Sequence, residues 1–439
     1  MKVCKFGGSS LSDGRQFAKV KDIIESDPDR SIVVVSAPGR RFSKDTKVTD
    51  LLYLSHAHLK YDVPFDNVVA MIKERYAAIR NECGLSLDVE AEIDKMFEGV
   101  SKKTSVDYIA SRGEYLNALL MAEYLGFRFI DATEWMTFKY DGSVDFARTE
   151  EKLRDIVGIY GHIVTPGFYG SLPSGEVKVF SRGGSDITGA IAAASIDAEM
   201  YENWTDVSGI LMTDPRIVDN PHSIPRVTYA ELREMSYMGA SVLHEDTVFP
   251  VRNKDIPVNI RNTNDPDAPG TIIREKFEED TEIENERFIT GITGVKDFSI
   301  VNIYKSHLEN KIGLLRKVLG LCEKFGISVE NIPGGVDCFS LVVPTREIKP
   351  VKYDFLSALR EECTLDDVSV TDGISLVAIV GRQMAYRTGI SGRIFAALGK
   401  NGINIRTIEQ SSDEISILVG VYTEDFNKSV QVLYDSFAK

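Results

Sequence analysis

A lysine, two glycines and two serines occur together near the start of the chain, in the segment KFGGSS at residues 5–10. The segment follows a short apolar run and precedes a helix-compatible stretch that begins after Asp13. Glycines allow a sharp turn that exposes backbone N–H groups, and a lysine adds a mobile positive charge, so the segment suits phosphate binding. Taken alone, it is better explained as a tight connection between a strand and a helix.

Two further polar segments follow predicted strands. In SAPGRRFSKDTKVTDLL, Ser36 ends an apolar strand and Thr49 precedes an apolar helix, where it is either a helix cap or a hydroxyl donor to a carboxylate. In SRGGSDITGA, Arg182 and two glycines lead into a helix that opens with Ser185 and Asp186. An arginine fork beside a helix N-terminus suits a carboxylate or a phosphate, although Asp186 could equally be a plain N-cap.

Two more segments carry charge of less obvious purpose. SRGEYLNALLMAEYLG places Glu114 at the predicted start of a helix, where a glutamate usually just complements the helix dipole. Beside an otherwise basic anion site, the same carboxylate would suit a substrate ammonium group. NWTDVSGILMTDPR, taken alone, is a polar loop.

Composition excludes several classes of protein. The 439 residues predict two or three domains, and 43% hydrophobic with 27% charged residues is typical of a soluble globular protein. No apolar stretch is long enough to span a membrane, no signal peptide is evident, and a net charge of −15 argues against nucleic acid or an anionic membrane as the main partner. Five scattered cysteines without a CxxC pair favour a reducing, cytoplasmic setting, and the six histidines form no metal-binding spacing.

The elements that must position the polar loops form two patterns. Up to about residue 264, apolar β-branched runs alternate with helical stretches, which predicts an α/β fold with a mostly parallel sheet and ligands at the carboxyl ends of its strands. An acidic connection follows, and then an internal repeat aligns Gly313 with Gly389 and Gly326 with Gly402. Each copy is predicted to hold a strand, a glycine loop, an amphipathic helix and a second strand. The chain contains no GxxxxGK[ST], GxGxxG or GxSxG motif.

Five motifs in this order resemble the aspartokinases: KFGGSS, SxGE, SRGGSD, WTDVSGILMTDPR and MGASVLH. The resemblance covers essentially the whole chain, and the repeat resembles the paired ACT domains of that family. It implies an amino-acid-kinase domain, with a mostly parallel central sheet between helix layers, at residues 1–275. A linker at 276–290 would lead to two ferredoxin-like ACT modules at 291–365 and 366–439, with strand exchange between the modules left open.

The resemblance also implies a reaction, in which the γ-phosphoryl group of ATP is transferred to the β-carboxylate of L-aspartate. A carboxylate with a pKa near about 4 is already ionised at pH 7, so such a site needs no general base. It must instead bring two anions together and stabilise the charge on the group in transfer. Mg²⁺ would arrive on the ATP phosphates, with few or no protein ligands.

By the same resemblance, roles can be carried onto this sequence. Lys5 would stabilise the phosphoryl group and Asp186 would organise Lys5. The substrate residues are Ser36 and Thr49 at the β-carboxylate, Glu114 at the α-ammonium, and Arg182 with Ser185 at the α-carboxylate. The nucleotide residues are Lys5, Phe6, Gly7, Gly8, Ser9, Gly183, Gly184, Thr205, Asp206, Leu211, Arg216 and Ser241. The family often has a tyrosine at Leu211 and a nucleotide-associated lysine at Ser241.

Feedback control is the last implication. The product would lead toward lysine, threonine and methionine, and an end-product amino acid would bind the ACT modules, with lysine as first choice and threonine, alone or with lysine, as the alternative. The expected effector contacts are Gly313, Leu314, Leu315, Val329 and Glu330. A homodimer or homotetramer would form through the same modules.

Two other functions remain to be weighed. Glutamate 5-kinase and acetylglutamate kinase share the fold, but SxGE and the ACT-like repeat favour an aspartokinase. A ligand sensor with an inactive kinase site is the alternative from another class. The presence of Lys5, Arg182 and Asp186 argues against it.

Overall fold

The computed structural model describes residues 1–439 except 182, 241, 242, 244, 278–287, 309–311, 383, 385, 386, 411–414 and 439. Two compact units result. The first consists of Met1–Ile210, Ser223–Tyr229 and Leu243–Phe277, and the second of Leu211–His222, Ala230–Val242 and Glu278–Lys439. The domain boundaries expected from the sequence remain predictions, and most of the expected linker lies outside the described residues.

The first unit is built from alternating strands and helices. Its strands are β1 (Lys2–Phe6), β2 (Arg30–Val35), β3 (Arg128–Phe129), β4 (Ile163–Pro166), β5 (Tyr169–Ser171), β6 (Val177–Val179), β7 (Met200–Thr205), β8 (Arg226–Thr228), β9 (Val258–Asn262) and β10 (Thr271–Arg274). Its helices are α1 (Gly14–Glu25), α2 (Val48–Lys60), α3 (Asp66–Cys83), α4 (Val89–Glu98), α5 (Val106–Leu125), α6 (Ala132–Trp135), α7 (Phe146–Tyr160), α8 (Gly184–Ser195) and, after α9 (Tyr229–Tyr237), α10 (Phe249–Arg252).

Eight of these strands form one sheet in the order β3-β4-β2-β1-β7-β9-β10-β8. Neighbouring strands are parallel except for β9 and β10, so the predicted mostly parallel α/β sheet is confirmed. β1 and β2 are central, and all six residues of β2 are buried, as their β-branched run indicated. Strands β5 and β6 pair separately as a short hairpin.

The two faces of the sheet have different covers. Helices α1 to α5 pack an apolar core against one face, which presents Cys4, Phe6 and Trp204. The opposite face presents Lys5 and is covered by the alanine-rich helix α8, where Gly189 lets the helix lie against Tyr201. A Cβ at Gly189 would come within 2.6 Å of the Tyr201 ring, so α8 can approach the sheet this closely only without a side chain there.

A buried ion pair lies on the face of the sheet that helices α1 to α5 cover. The Arg30 guanidinium donates to both carboxylate oxygens of Glu202, at 2.8 and 3.2 Å, and the Trp204 indole donates to the same carboxylate at 3.0 Å. The exposed fractions of Arg30 and Glu202 are 6% and 2%. The Cys4 thiol also donates to Glu202, and burial raises the pKa of this thiol, which fits an unreactive cysteine.

The second unit contains α9 and the C-terminal part of the chain. Its further strands are β11 (Gly291–Tyr304), β12 (Cys338–Pro344), β13 (Asp367–Val380), β14 (Ile405–Gln410) and β15 (Ser416–Tyr422). Its further helices are α11 (Leu314–Phe325), α12 (Thr345–Ile348), α13 (Lys352–Cys363), α14 (Ile390–Lys400) and α15 (Phe426–Phe437).

The five strands form an antiparallel sheet in the order β12-β11-β13-β15-β14. The internal repeat is visible in it. Gly313 caps α11 with φ 82° and ψ 2°, and Gly389 caps α14 with φ 83° and ψ 2°. The expected second strand is present after Gly402 as β14, but the equivalent residues of the first copy form only isolated bridges at Asn331 and Gly334, so that part of the prediction is wrong. Pro333 lies between these bridges, and a proline cannot donate to a β-ladder.

Helix α9 is fastened to the second unit by its acidic side chains. The Thr290 hydroxyl donates to Glu231 at 2.5 Å, and the Arg382 guanidinium donates to the same carboxylate at 3.2 Å. The Ser416 hydroxyl donates to Glu234 at 2.7 Å. Hydrogen bonds therefore tie α9 to Thr290 and Arg382, which lie next to β11 and β13, and to Ser416, the first residue of β15. No helix among the described residues is both long and apolar enough to cross a membrane.

The Arg30–Glu202 pair generates a stability prediction. Arg30→Met should lower the free energy of unfolding of the first unit by roughly 3–5 kcal/mol, because it leaves a buried carboxylate without its main partner. The double variant Arg30→Met with Glu202→Leu should recover much of that loss. Urea unfolding followed by tryptophan fluorescence measures both, since Trp204 lies beside the pair. Equal stabilities for the single and the double variant would show that the pair is not what holds this region.

Candidate active site

Lys5 lies at the centre of the polar cluster. Strand β1 runs between β2 and β7, and its register places Lys5 directly opposite Asn203 of β7. The Lys5 ammonium lies 2.8 Å from a carboxylate oxygen of Asp186 and donates to the side-chain oxygen of Asn203 at 3.3 Å. Only 7% of Lys5 is exposed, so its charge is held in a fixed place instead of moving in solvent.

Asp186 is positioned by the first turn of α8. The helix begins at Gly184, and its N-cap Gly183 has a φ of 55°, in the left-handed region that favours glycine. The Tyr201 hydroxyl donates to the backbone carbonyl of Asp186 at 3.1 Å. The Asp186 carboxylate accepts a hydrogen bond of 2.7 Å from the amide of Asn203. Strand β7 therefore fixes both the backbone and the side chain of Asp186.

The KFGGSS loop is pressed against the loop that follows β2. The Gly7 N–H donates to the carbonyl of Trp204 at 3.0 Å, and the Gly39 N–H donates to the carbonyl of Gly8 at 2.7 Å. A Cβ on Gly39 would lie 2.5 Å from the carbonyl carbon of Gly8, and a Cβ on Gly8 would lie 2.9 Å from the carbonyl oxygen of Ala37. Both glycines are required because the two backbones touch.

A buried arginine holds the second of these loops. Arg75, on α3, donates to the carbonyl of Gly39 at 2.6 Å, to the carbonyl of Thr46 at 3.1 Å and to the Asp45 carboxylate at 2.7 Å. Its exposed fraction is 3%. The Asp45 carboxylate also pairs with Arg41, and hydrogen bonds from Arg41 help to lower the pKa of Asp45 to about 2. Sequence reasoning missed Arg75, because nothing in α3 marks one arginine as a partner of a distant loop.

Glu114 lies inside a helix and not at its start, so the sequence-based placement is wrong. Helix α5 begins at Val106 behind a Ser105 cap, and Glu114 is 5% exposed. At Gly113 a Cβ would come within 2.8 Å of the Ala37 Cβ, so this glycine brings α5 against the loop after β2. Burial raises the pKa of Glu114 to about 8, although a hydrogen bond from the Ala37 N–H opposes the rise. One carboxylate oxygen of Glu114 is buried and has no hydrogen-bond partner among the described residues.

Asn117 follows Glu114 by one helical turn. Its amide donates to the carbonyl of Ser36 at 2.7 Å, which fixes the backbone from which the Ser36 side chain extends. Its own side-chain oxygen is buried, and no residue in the described part of the chain hydrogen-bonds to it. Thr49 is the second residue of α2, whose N-cap is Lys47, so Thr49 is not the cap that the sequence suggested.

The loop after β4 approaches the same helix terminus. Gly167 donates its N–H to the carbonyl of Val35 at 2.9 Å, and a Cβ on Gly167 would lie 2.7 Å from the Cβ of Ser185. Phe168 has a φ of 81°, which is uncommon for a bulky residue, and its N–H donates to the Thr188 hydroxyl at 3.0 Å. The close approach places Ser185 beside the carboxyl ends of β2 and β4.

The remaining expected residues are distributed as follows. Thr205 ends β7, and its hydroxyl donates to the exposed Asp206 at 3.2 Å. Leu211 and Arg216 belong to the second compact unit, where Arg216 is exposed and pairs with Asp214 at 2.6 Å. Arg182 and Ser241 lie outside the described residues.

The expected effector residues also belong to the second unit. Gly313 caps α11, and the side chain of Leu314 packs in the core of this module while Leu315 is 44% exposed. Val329 and Glu330 follow the helix, and the Glu330 carboxylate accepts a hydrogen bond of 2.6 Å from the Tyr237 hydroxyl. The side chain of Leu314 is therefore buried, whereas that of Leu315 lies at the surface.

The site on the first unit combines a fixed ammonium group with glycine-rich backbone and a buried carboxylate. Lys5 and the backbone at Gly7 and Gly8 suit phosphate oxygens, and Glu114 suits a cation. No group of three or more histidine, cysteine, aspartate or glutamate side chains within the described part of the chain could hold a metal ion. The arrangement is suited to binding two anionic groups, one of them on a molecule that also carries an ammonium group.

Comparisons with known proteins agree with this chemistry. The amino acid kinase family matches residues 1–262, and an ACT domain matches residues 377–437. Aspartokinase 3 of Bacillus subtilis is 34% identical over 100% of this chain and 98% of its own length. Lysine-sensitive aspartokinase 3 of Escherichia coli is 27% identical over 99% of this chain and 98% of its own length.

Solved structures give the same result. The crystal structure of Clostridium acetobutylicum aspartate kinase matches with a TM-score of 0.94 and 46% identity, covering 100% of both chains. The structure of E. coli aspartokinase III in complex with aspartate and ADP matches with a TM-score of 0.73 and 26% identity, again covering 100% of both chains. With these matches over its full length, the chain belongs to the aspartokinases of the amino acid kinase family, with an ACT domain after the kinase domain.

Proposed function

We propose that this enzyme transfers the γ-phosphoryl group of ATP to the β-carboxylate of L-aspartate. A bond forms between a β-carboxylate oxygen and the γ-phosphorus, the bond to the β,γ-bridging oxygen breaks, and ADP leaves with 4-phospho-L-aspartate as the product. The observation that carries the proposal is the buried Lys5 ammonium, which is held beside Gly7 and paired with Asp186. Product formation would be the first step toward lysine, threonine and methionine.

Lys5 supplies the positive charge that this reaction requires. Both reactants are anions, so the main barrier is charge, and a preorganised ammonium group in a partly desolvated site lowers it. An ammonium has three N–H donors, and Asp186 and Asn203 use two of them. The third remains for a phosphoryl oxygen, with the backbone N–H groups of the glycine loop as further donors.

The amino acid would be recognised by opposite charges. The buried oxygen of Glu114 that has no partner within the described ranges supports a role in holding the α-ammonium group. Arg182 would hold the α-carboxylate with Ser185 beside it, and Ser36 and Thr49 would face the β-carboxylate. The hydrogen bond from Asn117 to the carbonyl of Ser36 supports a fixed position for Ser36 beside the β-carboxylate.

The nucleotide would occupy the carboxyl ends of β1 and β7. We assign it the residues of the glycine loop (Lys5, Phe6, Gly7, Gly8 and Ser9), the helix terminus at Gly183 and Gly184, and Thr205, Asp206, Leu211, Arg216 and Ser241. Mg²⁺ would be carried by the ATP phosphates and would supply further positive charge at the transferring group.

Regulation would come from an amino acid bound to the C-terminal modules. A solved structure of E. coli aspartokinase III contains lysine and aspartate and is described as the T-state. Together with the full-length likeness to that protein, this supports lysine as the effector here, with threonine as the alternative. We further propose that the modules join the chain into a homodimer or homotetramer.

Formation of aspartyl hydroxamate from Mg-ATP, aspartate and hydroxylamine tests the proposed reaction directly. Glutamate and N-acetylglutamate are the matched alternative substrates, because the kinases that use them share the fold. We expect turnover with aspartate and none with glutamate or N-acetylglutamate. A preference for either alternative, or no turnover with any of the three, would contradict the proposal.

The role of Lys5 predicts the effect of its removal. Lys5→Ala should lower kcat by on the order of 10²-fold or more, the scale of losing one preorganised charge-stabilising donor. Lys95→Ala is the matched control, because the Lys95 side chain is 67% exposed on α4 and its loss should leave kcat unchanged. Initial rates in the hydroxamate assay give kcat for both variants, and thermal unfolding shows whether both variants fold. A Lys5→Ala enzyme with near wild-type kcat would remove Lys5 from the mechanism.

The raised pKa of Glu114 predicts a pH dependence of aspartate binding. Below its pKa of about 8 this carboxyl is protonated in the free enzyme, and an ammonium group can bind well only after the proton leaves. The KM for aspartate should therefore fall as the pH rises from about 6 to 8, by up to about tenfold per pH unit, and then level off. The KM for ATP should not follow this course.

Glu114→Gln is the control for that dependence. It keeps the shape of the side chain but cannot ionise, so the KM for aspartate should be higher and should no longer fall between pH 6 and 8. Steady-state kinetics across the range measures both enzymes. A slope that persists in Glu114→Gln would assign the titration to another group.

The repeat allows a matched test of the effector site. Gly313 and Gly389 cap equivalent helices with nearly the same φ. No described atom would lie within 4 Å of a Cβ added at either glycine, so replacement by alanine strains both backbones alike. Gly313→Ala should raise the lysine concentration for half-maximal inhibition about tenfold or more, while Gly389→Ala should change it little. Lysine and threonine titrations of the kinase rate measure this. Equal effects of the two variants would contradict the assignment of the effector to the first copy.

A further inference from the structure

We propose that Asn203 is a positioning residue for phosphoryl transfer, which it serves by holding Lys5 and Asp186 at a fixed distance and in a fixed orientation. The inference rests on the proposed function of the site and adds to it a residue that lies within a strand. Two observations support it: the register of the sheet, and the hydrogen bonds that the two ends of the Asn203 side-chain amide make.

The register places Asn203 beside both charged groups. Residues paired across two parallel strands point to the same face of the sheet, and Lys5 is paired with Asn203. Helix α8 covers this face and presents Asp186 in its first turn. Asn203 is therefore enclosed between the strand that carries the ammonium and the helix that carries the carboxylate, and 4% of it is exposed.

The two ends of the Asn203 amide have different partners. Its Nδ2 donates to Asp186 Oδ1 at 2.7 Å, and its Oδ1 accepts from Lys5 Nζ at 3.3 Å. The reverse orientation would set N–H groups against the ammonium and an oxygen against the carboxylate, so the charges themselves dictate which way the amide points. A neutral side chain thus makes one hydrogen bond to each member of the 2.8 Å ion pair.

This arrangement directs the remaining donor of Lys5. With one N–H on Asp186 and one on Asn203, the third is left for another acceptor, and Gly7 is the neighbouring loop residue, where a Cβ would lie 3.5 Å from Nζ. Without Asn203 the ammonium would be free to rotate about its bond and to settle against both carboxylate oxygens. A leucine at this position would leave the charges in place but would remove the restraint on their geometry.

An aspartate at this position would have a further consequence. It would place a second carboxylate beside Lys5 and Asp186, which would hold the ammonium more tightly and repel the phosphate oxygens. When protonated, the same side chain would again offer a donor and an acceptor, as the amide does. The activity of Asn203→Asp should therefore depend on pH in a way that the wild type does not.

Steady-state kinetics of two variants tests the proposal. Asn203→Leu should lower kcat about tenfold to hundredfold while the KM for aspartate changes less than about threefold. Asn203→Asp should lose more at pH 8, and its kcat relative to the wild type should recover by about fivefold or more as the pH falls to 6. Asn259→Leu is the matched control: this asparagine is also buried, but β9 pairs it with Glu202, so it lies on the other face of the sheet and its replacement should leave kcat within about twofold.

The outcomes separate this inference from the proposed function. Absence of aspartate phosphorylation by the wild-type enzyme would refute the function itself. An active wild type with Asn203→Leu within threefold of its kcat, or an Asn203→Asp enzyme whose relative kcat does not change with pH, would overturn the role of Asn203. Loss of folding in both variants, judged by thermal unfolding against Asn259→Leu, would assign Asn203 to stability and would equally overturn the proposal.

Discussion

The contact between the Lys5 ammonium and the Asp186 carboxylate is the interaction around which the first unit is arranged. A kinase that joins two anions needs a positive charge in a fixed place. Asp186 pairs with the Lys5 ammonium, and the strand, helix and loops around the pair fix where that charge lies. The 2.8 Å pair is therefore a geometric constraint on the fold, and our proposal makes it an electrostatic requirement of the chemistry as well.

Close backbone contact is the second requirement. Gly8 and Gly39 touch so closely that neither can carry a side chain, and Gly113 and Gly167 allow similar approaches of α5 and of the loop after β4. These contacts join the buried carboxylate of Glu114, which we propose binds the substrate ammonium group, to the glycine loop through Ala37. The polar groups are thus positioned by backbone and not by long side chains, which keeps the entropy cost of ordering them low.

Much of this could be predicted from the sequence, for a definite reason. Parallel strands end at one edge of a sheet, so the loop at Lys5 and the helix start at Asp186 had to lie near each other once the alternation of strands and helices was recognised. Asn203 could not be predicted, because a polar residue within a strand is not distinguishable from one that faces solvent. The sequence predicts Glu114 at the start of a helix, whereas the helix begins at Val106 and continues through Gly113, which packs on Ala37. Such approaches between distant segments leave no local pattern.

The second unit shows that sequence families and compact units need not share boundaries. Helix α9 lies within the range matched by the amino acid kinase family, yet Glu231 and Glu234 bind it to Arg382 and Ser416 of the C-terminal part. A rearrangement of the five-stranded sheet must either carry α9 with it or break these hydrogen bonds. The most direct test of the central claim is a crystal structure with ADP, Mg²⁺, aspartate and a metal fluoride that mimics the phosphoryl group in transfer. The account predicts Lys5 Nζ within about 3 Å of the fluoride while it remains paired with Asp186, and a Lys5 that points away from the mimic would contradict it.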